Sequence, residues 1–291
     1  MNNTISNALL VFVAGSSYGF IVPAVKTAVG LGVFPADFLP LQYLTALVLC
    51  AGFMLVTRVN VSFSPSHAKL ALLGVFTGCT SICYYNSVAL LPSAAALTLL
   101  FQYVWVNVAI ECVVERRLPE RSTIVAVAIV LVGTLFAAGV FEGGLESLDP
   151  IGMAFGAGSA VFYALFLFFS GRIGTDQPAS FRATMLAAGG LVVTSLANPA
   201  CYTTALFDAA TWPFAIGFAF MGVIIPTTLI NFASPKLSAG MVSVMASSEL
   251  PVGILSAWAI IGDAPTPLVL LGAALVLVGI VYKQLPNLKK A

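Results

Sequence analysis

The chain has 291 residues and a formal net charge of +1, and 60% of its residues are hydrophobic while only 8% are charged. So few charged residues cannot cover the water-facing surface of a protein this size, which excludes a soluble globular protein. The near-neutral charge argues against a basic nucleic-acid-binding surface. We therefore predict a multi-pass integral membrane protein that contacts the lipid bilayer and no nucleic acid.

Apolar runs of membrane-spanning length follow one another along the whole chain. A bilayer core of about 30 Å needs roughly 20 residues of α-helix, and ten runs satisfy that length. The predicted spans are 7–29, 38–57, 70–91, 93–114, 122–140, 151–171, 179–198, 212–233, 238–261 and 267–282. The expected fold class is an all-α polytopic membrane protein with ten transmembrane helices.

Basic residues occur in alternate gaps between these spans. The even-numbered gaps and the tail contain Arg58, Lys69, Arg116, Arg117, Arg121, Arg172, Arg182, Lys236, Lys283, Lys289 and Lys290. The odd-numbered gaps contain acidic residues instead, namely Asp37, Glu142, Glu146, Asp149, Asp208 and Asp263. Since lysine and arginine stay on the cytoplasmic side, the pattern predicts cytoplasmic N- and C-termini in a cytoplasmic (plasma) membrane.

One hydrophobic motif occurs twice, once in each half of the chain. Residues 128–133 (AIVLVG) recur as residues 274–279 (ALVLVG), and Pro119 and Pro265 have the same spacing. The two occurrences are 146 residues apart, and we call this spacing the repeat offset. It predicts two five-helix repeats, 1–145 and 146–291, within one transmembrane domain. Because five is odd, the second repeat enters the membrane from the opposite side, so the repeats are inverted.

The ninth predicted span contains an acidic residue near its middle, Glu249. A charge there costs roughly 3 kcal/mol on insertion scales. We interpret Glu249 as a group that binds a proton or a substrate ammonium; the alternative is a protonated side chain hydrogen-bonded between helices. Pro251 follows it, and we predict hinges at Pro251, Pro226 and Pro23, with simple packing kinks as the alternative.

Polar and aromatic side chains of other spans complete the candidate substrate or proton site. Tyr103, Asn107 and Glu111 form one stripe of the fourth helix, and Tyr103 matches Glu249 at the repeat offset. Glu111 is expected to reach the cytoplasmic interface. The third span presents Thr77, Ser81, Tyr84 and Tyr85 on one face. The predicted site residues are Glu249, Tyr103, Trp105, Asn107, Ser248, Gln102, Tyr84, Tyr18, Tyr163 and Lys26.

Two of these predictions leave alternatives open. The hydroxyl and amide side chains either line a path or bond helix to helix. Lys26, near the outer end of the first span, either pairs with a substrate carboxylate or reaches the interface alone.

Several of these segments together resemble the drug/metabolite transporter superfamily, in its ten-helix branch with two EamA-type repeats. The resemblance covers nearly the whole chain and is clearest at 248–252 (SELPV), 262–266 (GDAPT) and 272–279 (GAALVLVG), with 86–90 (NSVAL) and 115–118 (ERRL) in the first half. Gln42 stands where the repeat usually has a basic residue. The resemblance implies secondary transport of small metabolites, often their export.

The sequence therefore predicts a secondary transporter of a small molecule such as an amino acid or amine, with a proton as a possible coupling ion. The alternatives are a channel and a non-transporting regulatory or scaffold protein. We predict no enzyme: residues 15–19 (GSSYG) match a nucleophile elbow, but they lie within the first predicted span and not at a strand-to-helix turn. No cofactor and no metal site are predicted.

Overall fold

The structure is a computed structural model that describes residues 3–59, 66–116, 118–137 and 149–288. All regular structure in these ranges is helical. The α-helices are α1 (Asn3–Tyr18), α2 (Ile21–Gly30), α3 (Pro35–Val56), α4 (Ser66–Leu90), α5 (Ser93–Leu100), α6 (Tyr103–Glu115), α7 (Arg121–Ala137), α8 (Pro150–Ser170), α9 (Ala179–Ala197), α10 (Trp212–Phe218), α11 (Ile225–Ala233), α12 (Ala239–Ala246), α13 (Glu249–Ile261) and α14 (Pro267–Leu288).

Eight helical segments in the described ranges are long and apolar enough to cross a membrane. They are Thr4–Gly30, Pro35–Val56, His67–Leu90, Ala95–Glu115, Pro150–Ser170, Ala179–Ala197, Trp212–Lys236 and Ala239–Ile261. The fifth predicted span is described only as far as Ala137, within the apolar helix α7, and the tenth predicted span lies within α14. The all-helical class is confirmed, and eight spans of sufficient length lie in the described ranges.

Some predictions fall on residues outside the described ranges. These are the end of the predicted span 122–140 beyond Ala137, the boundary between the two predicted repeats, and the charged residues Arg117, Glu142, Glu146, Lys289 and Lys290.

Four of the eight segments are interrupted near their middle. Breaks separate α1 from α2, α5 from α6, and α12 from α13, and a π-helical stretch, Ala219–Ile224, separates α10 from α11. Pro23, Pro226 and Pro251 each lie in the first turn of the helix that follows an interruption. The first N–H groups of a helix have no intrahelical partner, so proline loses nothing there. The break before α6 has no proline beside it.

The helix bounds recur at the repeat offset, as the sequence motif does. Helices α5 and α6 match α12 and α13 at both ends when shifted by this offset, and the first residue of α7 matches that of α14. Arg116 and Gly262, which are separated by the same offset, follow α6 and α13 in the left-handed conformation, at φ 51° and 73°. A glycine accepts that conformation without strain, whereas Arg116 is an uncommon residue there.

The contacts between α7 and α14 are reciprocal. Gly133 of α7 approaches the backbone of α14 at Gly272, and Gly279 of α14 approaches α7 at Ala126. Shifting each position by the repeat offset converts the first pair into the second. Likewise α1 packs on α11, α12 and α13, while α8 packs on α4, α5 and α6. Contacts of the first half of the chain thus recur, shifted by the repeat offset, in the second half.

Two basic residues that the sequence places among the cytoplasmic gaps and tail are buried within helices. Arg182 in α9 is 2% exposed and donates hydrogen bonds to the carbonyl groups of Ser170 and Asn231. Lys283 in α14 is 3% exposed, and its Nζ atom lies 2.7 Å from Thr123 Oγ1 and 3.1 Å from Glu120 Oε2. Both side chains therefore join helices rather than face water.

Candidate functional site

A cavity lies inside the helix bundle, and its wall combines aromatic rings, hydroxyl groups and one carboxyl group. The lining residues are Tyr18, Ile21, Tyr43, Thr77, Thr80, Ser81, Tyr84, Tyr85, Leu100, Tyr163, Phe166, Gly222 and Glu249. Its volume, measured for the centres of water-sized spheres, is about 30 Å³. One water needs about 10–15 Å³ on this measure. The cavity therefore has room for about two water molecules, and it must widen before a metabolite can bind.

All four helix interruptions reach this cavity. Tyr18 and Ile21 flank the first break, Leu100 ends α5 before the second, Gly222 belongs to the π-helical stretch, and Glu249 begins α13 after the last. Interrupted helices expose backbone groups that continuous helices keep bonded, and membrane proteins tolerate this where the backbone lines a cavity or is buried in protein. The position of the breaks therefore marks the cavity as a candidate binding site.

Tyr163 is the centre of an aromatic cluster on one side of the cavity. Its ring lies edge-on to Tyr18, with centroids 5.7 Å apart, and 4.6 Å from the ring of Tyr103. The ring of Phe166 is stacked at 6.2 Å. Tyr163 is 3% exposed, and its hydroxyl has no hydrogen-bond partner among the described residues. That hydroxyl is thus available to a bound molecule.

Helices α3 and α4 supply the opposite wall. The hydroxyl groups of Tyr43 and Ser81 are hydrogen-bonded at 2.8 Å, and Gln42 donates to the hydroxyl of Tyr85 at 3.5 Å. The ring of Tyr85 also contacts Phe218 of α10 at 5.3 Å. These contacts fix the directions of two phenol groups at the cavity.

Glu249 supplies the only carboxyl group in the described lining of the cavity. It is 2% exposed and is the first residue of α13, where the helix dipole stabilises a negative charge by about 0.3–1 kcal/mol. Ser248 Oγ donates to the carbonyl of Phe12 at 2.6 Å, and Ser256 Oγ donates to that of Gly19 at 2.9 Å. These two hydrogen bonds join the region of the break between α12 and α13 to α1 and to the residue that follows it. A carboxyl group so placed can hold a proton or pair with a cation.

The structure brings Glu249, Tyr84, Tyr18 and Tyr163 together at the cavity, and Tyr103 packs directly behind Tyr163. Other predicted site residues lie elsewhere. Trp105 is 47% exposed and donates to Gln102 Oε1 at 2.9 Å, and Gln102 donates to the carbonyl of Thr98. Trp105 is two residues from the buried Tyr103. Residues two apart lie on nearly opposite faces of a helix, so Trp105 is exposed.

Lys26 is also separate from the cavity. Its Nζ atom donates to the carbonyl of Leu91 at 2.8 Å, just beyond the end of α4. The structure thus gives Lys26 a backbone partner at a helix end, a role that a long basic side chain often takes. Ser248, as described above, bonds to α1 and likewise does not line the cavity.

The predicted stripe on α6 contacts α12. The hydroxyl of Tyr103 donates to the carbonyl of Ser243 at 3.4 Å, and the amide of Asn107 donates to Ser243 Oγ and to the carbonyl of Ala239. Glu111 Oε2 accepts from the N–H of Gly240 at 3.2 Å. Glu111 is 8% exposed, so it bonds the start of α12 rather than extending to an interface. We call this group of contacts the α6–α12 clamp.

The region that matches the clamp at the repeat offset contains a larger cavity. Positions 107 and 111 correspond to Gly253 and Ala257, which offer no polar side chain. A cavity of about 220 Å³ lies there between α5 and α13, and the cavity at the α6–α12 clamp measures about 110 Å³. Pro265 lines the larger cavity and Pro119 the smaller one. The two matching regions therefore contain cavities of different volume.

Six residues that line the central cavity were not identified from the sequence: Ile21, Tyr43, Thr80, Leu100, Phe166 and Gly222. Helical spacing was an available signal for two of them, since Thr80 is four residues before Tyr84 and Phe166 is three residues after Tyr163. For Tyr43 the available signal was the neighbouring Gln42 within an apolar span.

Comparisons with known proteins give a fold and no family. No protein-family model and no curated protein matches the chain. A solved crystal structure superposes on it with a TM-score of 0.77 at 15% sequence identity, over 96% of this chain and 98% of that chain. At that identity the likeness shows a shared fold alone.

Proposed function

We propose that the protein is a secondary active transporter that moves a small metabolite across the cytoplasmic membrane by alternating access. We assign it to the drug/metabolite transporter superfamily, in the ten-helix branch with two EamA-type repeats. A proton is the proposed coupling ion, bound at Glu249. No step of this account needs a cofactor.

The observation that carries the proposal is the position of Glu249. It is a buried carboxyl group at the break between two half-helices, inside an apolar helix bundle, where four interruptions meet. An ionisable residue at such a depth is costly and rarely retained without a function. Broken helices around a central site are typical of secondary transporters.

The recurrence of helix bounds at the repeat offset supports two inverted repeats. In this account α7 and α14 are the fifth and tenth spans, and their reciprocal contacts through Gly133 and Gly279 lie on the pseudo-twofold axis. A helix with the described length of α7, 17 residues, crosses a bilayer if the bilayer thins locally or flanking side chains extend to the interface, and α14 has 22 residues. Lys283, bonded to the start of α7, is then at the cytoplasmic end.

The clamp and the region that matches it differ in their hydrogen bonds and in cavity volume, and this difference supports alternating access. The α6–α12 clamp, which closes the proposed cytoplasmic side, is hydrogen-bonded through Asn107 and Glu111. The matching positions on the proposed outer side, Gly253 and Ala257, line the larger cavity. The transition that we propose closes the α5–α13 side and opens the clamp, so that the site around Glu249 faces the cytoplasm.

Counterflow in proteoliposomes tests the proposal against its two alternatives. The purified protein is reconstituted, and uptake is measured for a panel of labelled amines and amino acids, with and without unlabelled solute inside. A carrier gives saturable uptake that internal solute accelerates. A channel gives flux without acceleration, and a scaffold protein gives no flux above that of empty vesicles.

A further inference from the structure

The described lining of the central cavity contains one carboxyl group and no basic side chain. Glu249 contributes a carboxyl group, and no lysine, arginine or histidine is among the described residues that line the cavity. Glu249 is 2% exposed, so water screens its charge poorly. A buried carboxylate without a cationic partner is unfavourable, and a cation that reaches it removes that cost.

Two basic side chains of the helix bundle, Lys26 and Arg182, are bonded to backbone groups. Lys26 donates to the carbonyl of Leu91, and Arg182 donates to the carbonyls of Ser170 and Asn231. Neither side chain lines the cavity. The described part of the site therefore offers a negative group for an ammonium and no positive group for a carboxylate.

Aromatic rings surround the same space. Tyr18 and Tyr163 are edge-to-face at 5.7 Å, and Tyr84 and Tyr85 have centroids 6.2 Å apart. The faces of such rings attract ammonium groups, most strongly where water is excluded. All four rings line the cavity that contains Glu249. Their arrangement suits a cation that carries methyl or methylene groups.

Tyr163 adds an unused acceptor to this wall. Its hydroxyl lines the cavity, is buried, and has no hydrogen-bond partner among the described residues. A buried polar group without a partner is uncommon in a folded protein. An ammonium N–H or a hydroxyl of a bound solute would satisfy it.

We propose that the transported solute is a small organic cation without a carboxylate group, such as a primary amine or a quaternary ammonium compound. This inference rests on the proposed transport function and narrows its substrate class. An amino acid would bring a carboxylate next to Glu249 and the electron-rich ring faces, where nothing in the described lining compensates its charge. An organic anion would meet the same repulsion without any attractive partner.

Three ligands that share a benzyl group separate these classes. They are 2-phenylethylammonium (a cation), phenylalanine (a zwitterion) and 3-phenylpropionate (an anion), and tetramethylammonium serves as a compact second cation. Dissociation constants are obtained from the thermal stabilisation of the purified full-length protein, since a ligand stabilises by RT ln(1 + [L]/Kd). We expect at least one cation to bind and to bind about tenfold or more tightly than phenylalanine and 3-phenylpropionate.

Two sets of variants locate the cation. Glu249→Gln should weaken cation binding by about 30-fold or more, because it removes a buried charge partner, and Glu115→Gln, at a distant ion pair with Arg172, should leave it unchanged. Tyr163→Leu should weaken binding by about tenfold or more through loss of the ring, whereas Tyr163→Phe, which keeps the ring, should weaken it much less. If Glu249→Gln does not fold, the Tyr163 pair still tests the site.

Three outcomes overturn the substrate class. One is tighter binding of phenylalanine or 3-phenylpropionate than of either cation. Another is stabilisation of the folded protein by neither cation. The third is cation binding that neither Glu249→Gln nor Tyr163→Leu weakens. None of these outcomes decides whether the protein is a carrier, because the counterflow panel includes amino acids as well as amines.

Discussion

Tyr103 and Glu249 occupy matching positions at the repeat offset, and each is the first residue of the helix that follows a break. The two side chains have different partners. Tyr103 packs on Tyr163 and donates to the carbonyl of Ser243 on α12, whereas Glu249 lines the central cavity. One sequence position of the predicted repeat thus contributes to the α6–α12 clamp in the first half and to the candidate site in the second.

The α6–α12 clamp predicts an effect of Asn107 on access from the cytoplasmic side. Asn107→Ala removes the bonds to Ser243 and Ala239, and a net loss of about 1 kcal/mol would favour the open state about fivefold. Cys112 lines the cavity at this clamp. The rate at which maleimide labels Cys112, measured in a protein whose other four cysteines are replaced by alanine, should rise by about the same factor.

Asn86→Ala is the matched control for this experiment. The amide of Asn86 bonds to the carbonyl of Ile82 within its own helix, so its loss should leave Cys112 labelling unchanged. Equal labelling of Cys112 in the Asn107→Ala protein and its parent would show that the clamp does not control access.

The break before α13 predicts a kinetic role for Pro251. Pro251→Ala supplies an N–H that can bond to the carbonyl of Ser247, which would continue the helix through the break. We expect the turnover rate in counterflow to fall several-fold while the dissociation constant of the solute stays the same. Pro35→Ala, at the start of α3, is the control; an unchanged turnover rate in Pro251→Ala would argue against a hinge.

Close helix packing predicts different costs at two glycines. A methyl group on Gly189 would collide with the carbonyl oxygen of Ala71, whereas one on Gly217 would meet open space. Gly189→Ala should lower the free energy of unfolding by about 1–3 kcal/mol. Gly217→Ala should be neutral or stabilise α10 by up to about 1 kcal/mol. Thermal unfolding in detergent compares the two, and equal midpoints would contradict the packing of α9 on α4.

The hydrogen bonds of Arg182 are predicted to stabilise the contact between α8, α9 and α11. Arg182→Leu leaves the carbonyls of Ser170 and Asn231 without their donor, and hydrogen bonds to a charged group are worth about 1.5–3 kcal/mol each. Arg172 is 33% exposed in its ion pair with Glu115, so Arg172→Leu should cost only about 0–1 kcal/mol. A smaller loss of stability in Arg182→Leu than in Arg172→Leu would contradict this account.

Hydropathy and helical periodicity predicted much of the fold. The predicted span 179–198 differs from α9 by one residue, and the stripe of Tyr103, Asn107 and Glu111 does face protein. The same periodicity shows why Trp105 is exposed, since it is two residues from Tyr103.

Contacts between distant segments could not be predicted from the sequence. The bond of Lys26 to the carbonyl of Leu91 depends on where α4 ends relative to α2. The break at Phe101 and Gln102 has no proline or glycine to mark it. Tyr43 reaches the cavity because α3 packs on α4, where its hydroxyl meets Ser81. The repeat boundaries and the role of each site residue remain predictions.

The most direct test of the central claim is counterflow of a labelled cation in proteoliposomes that contain the Glu249→Gln protein. The account predicts that saturable exchange is lost in this variant and retained in Glu115→Gln, with both proteins folded and reconstituted to the same density. Undiminished exchange in Glu249→Gln would contradict the assignment of Glu249 as the group that binds the solute or the coupling proton.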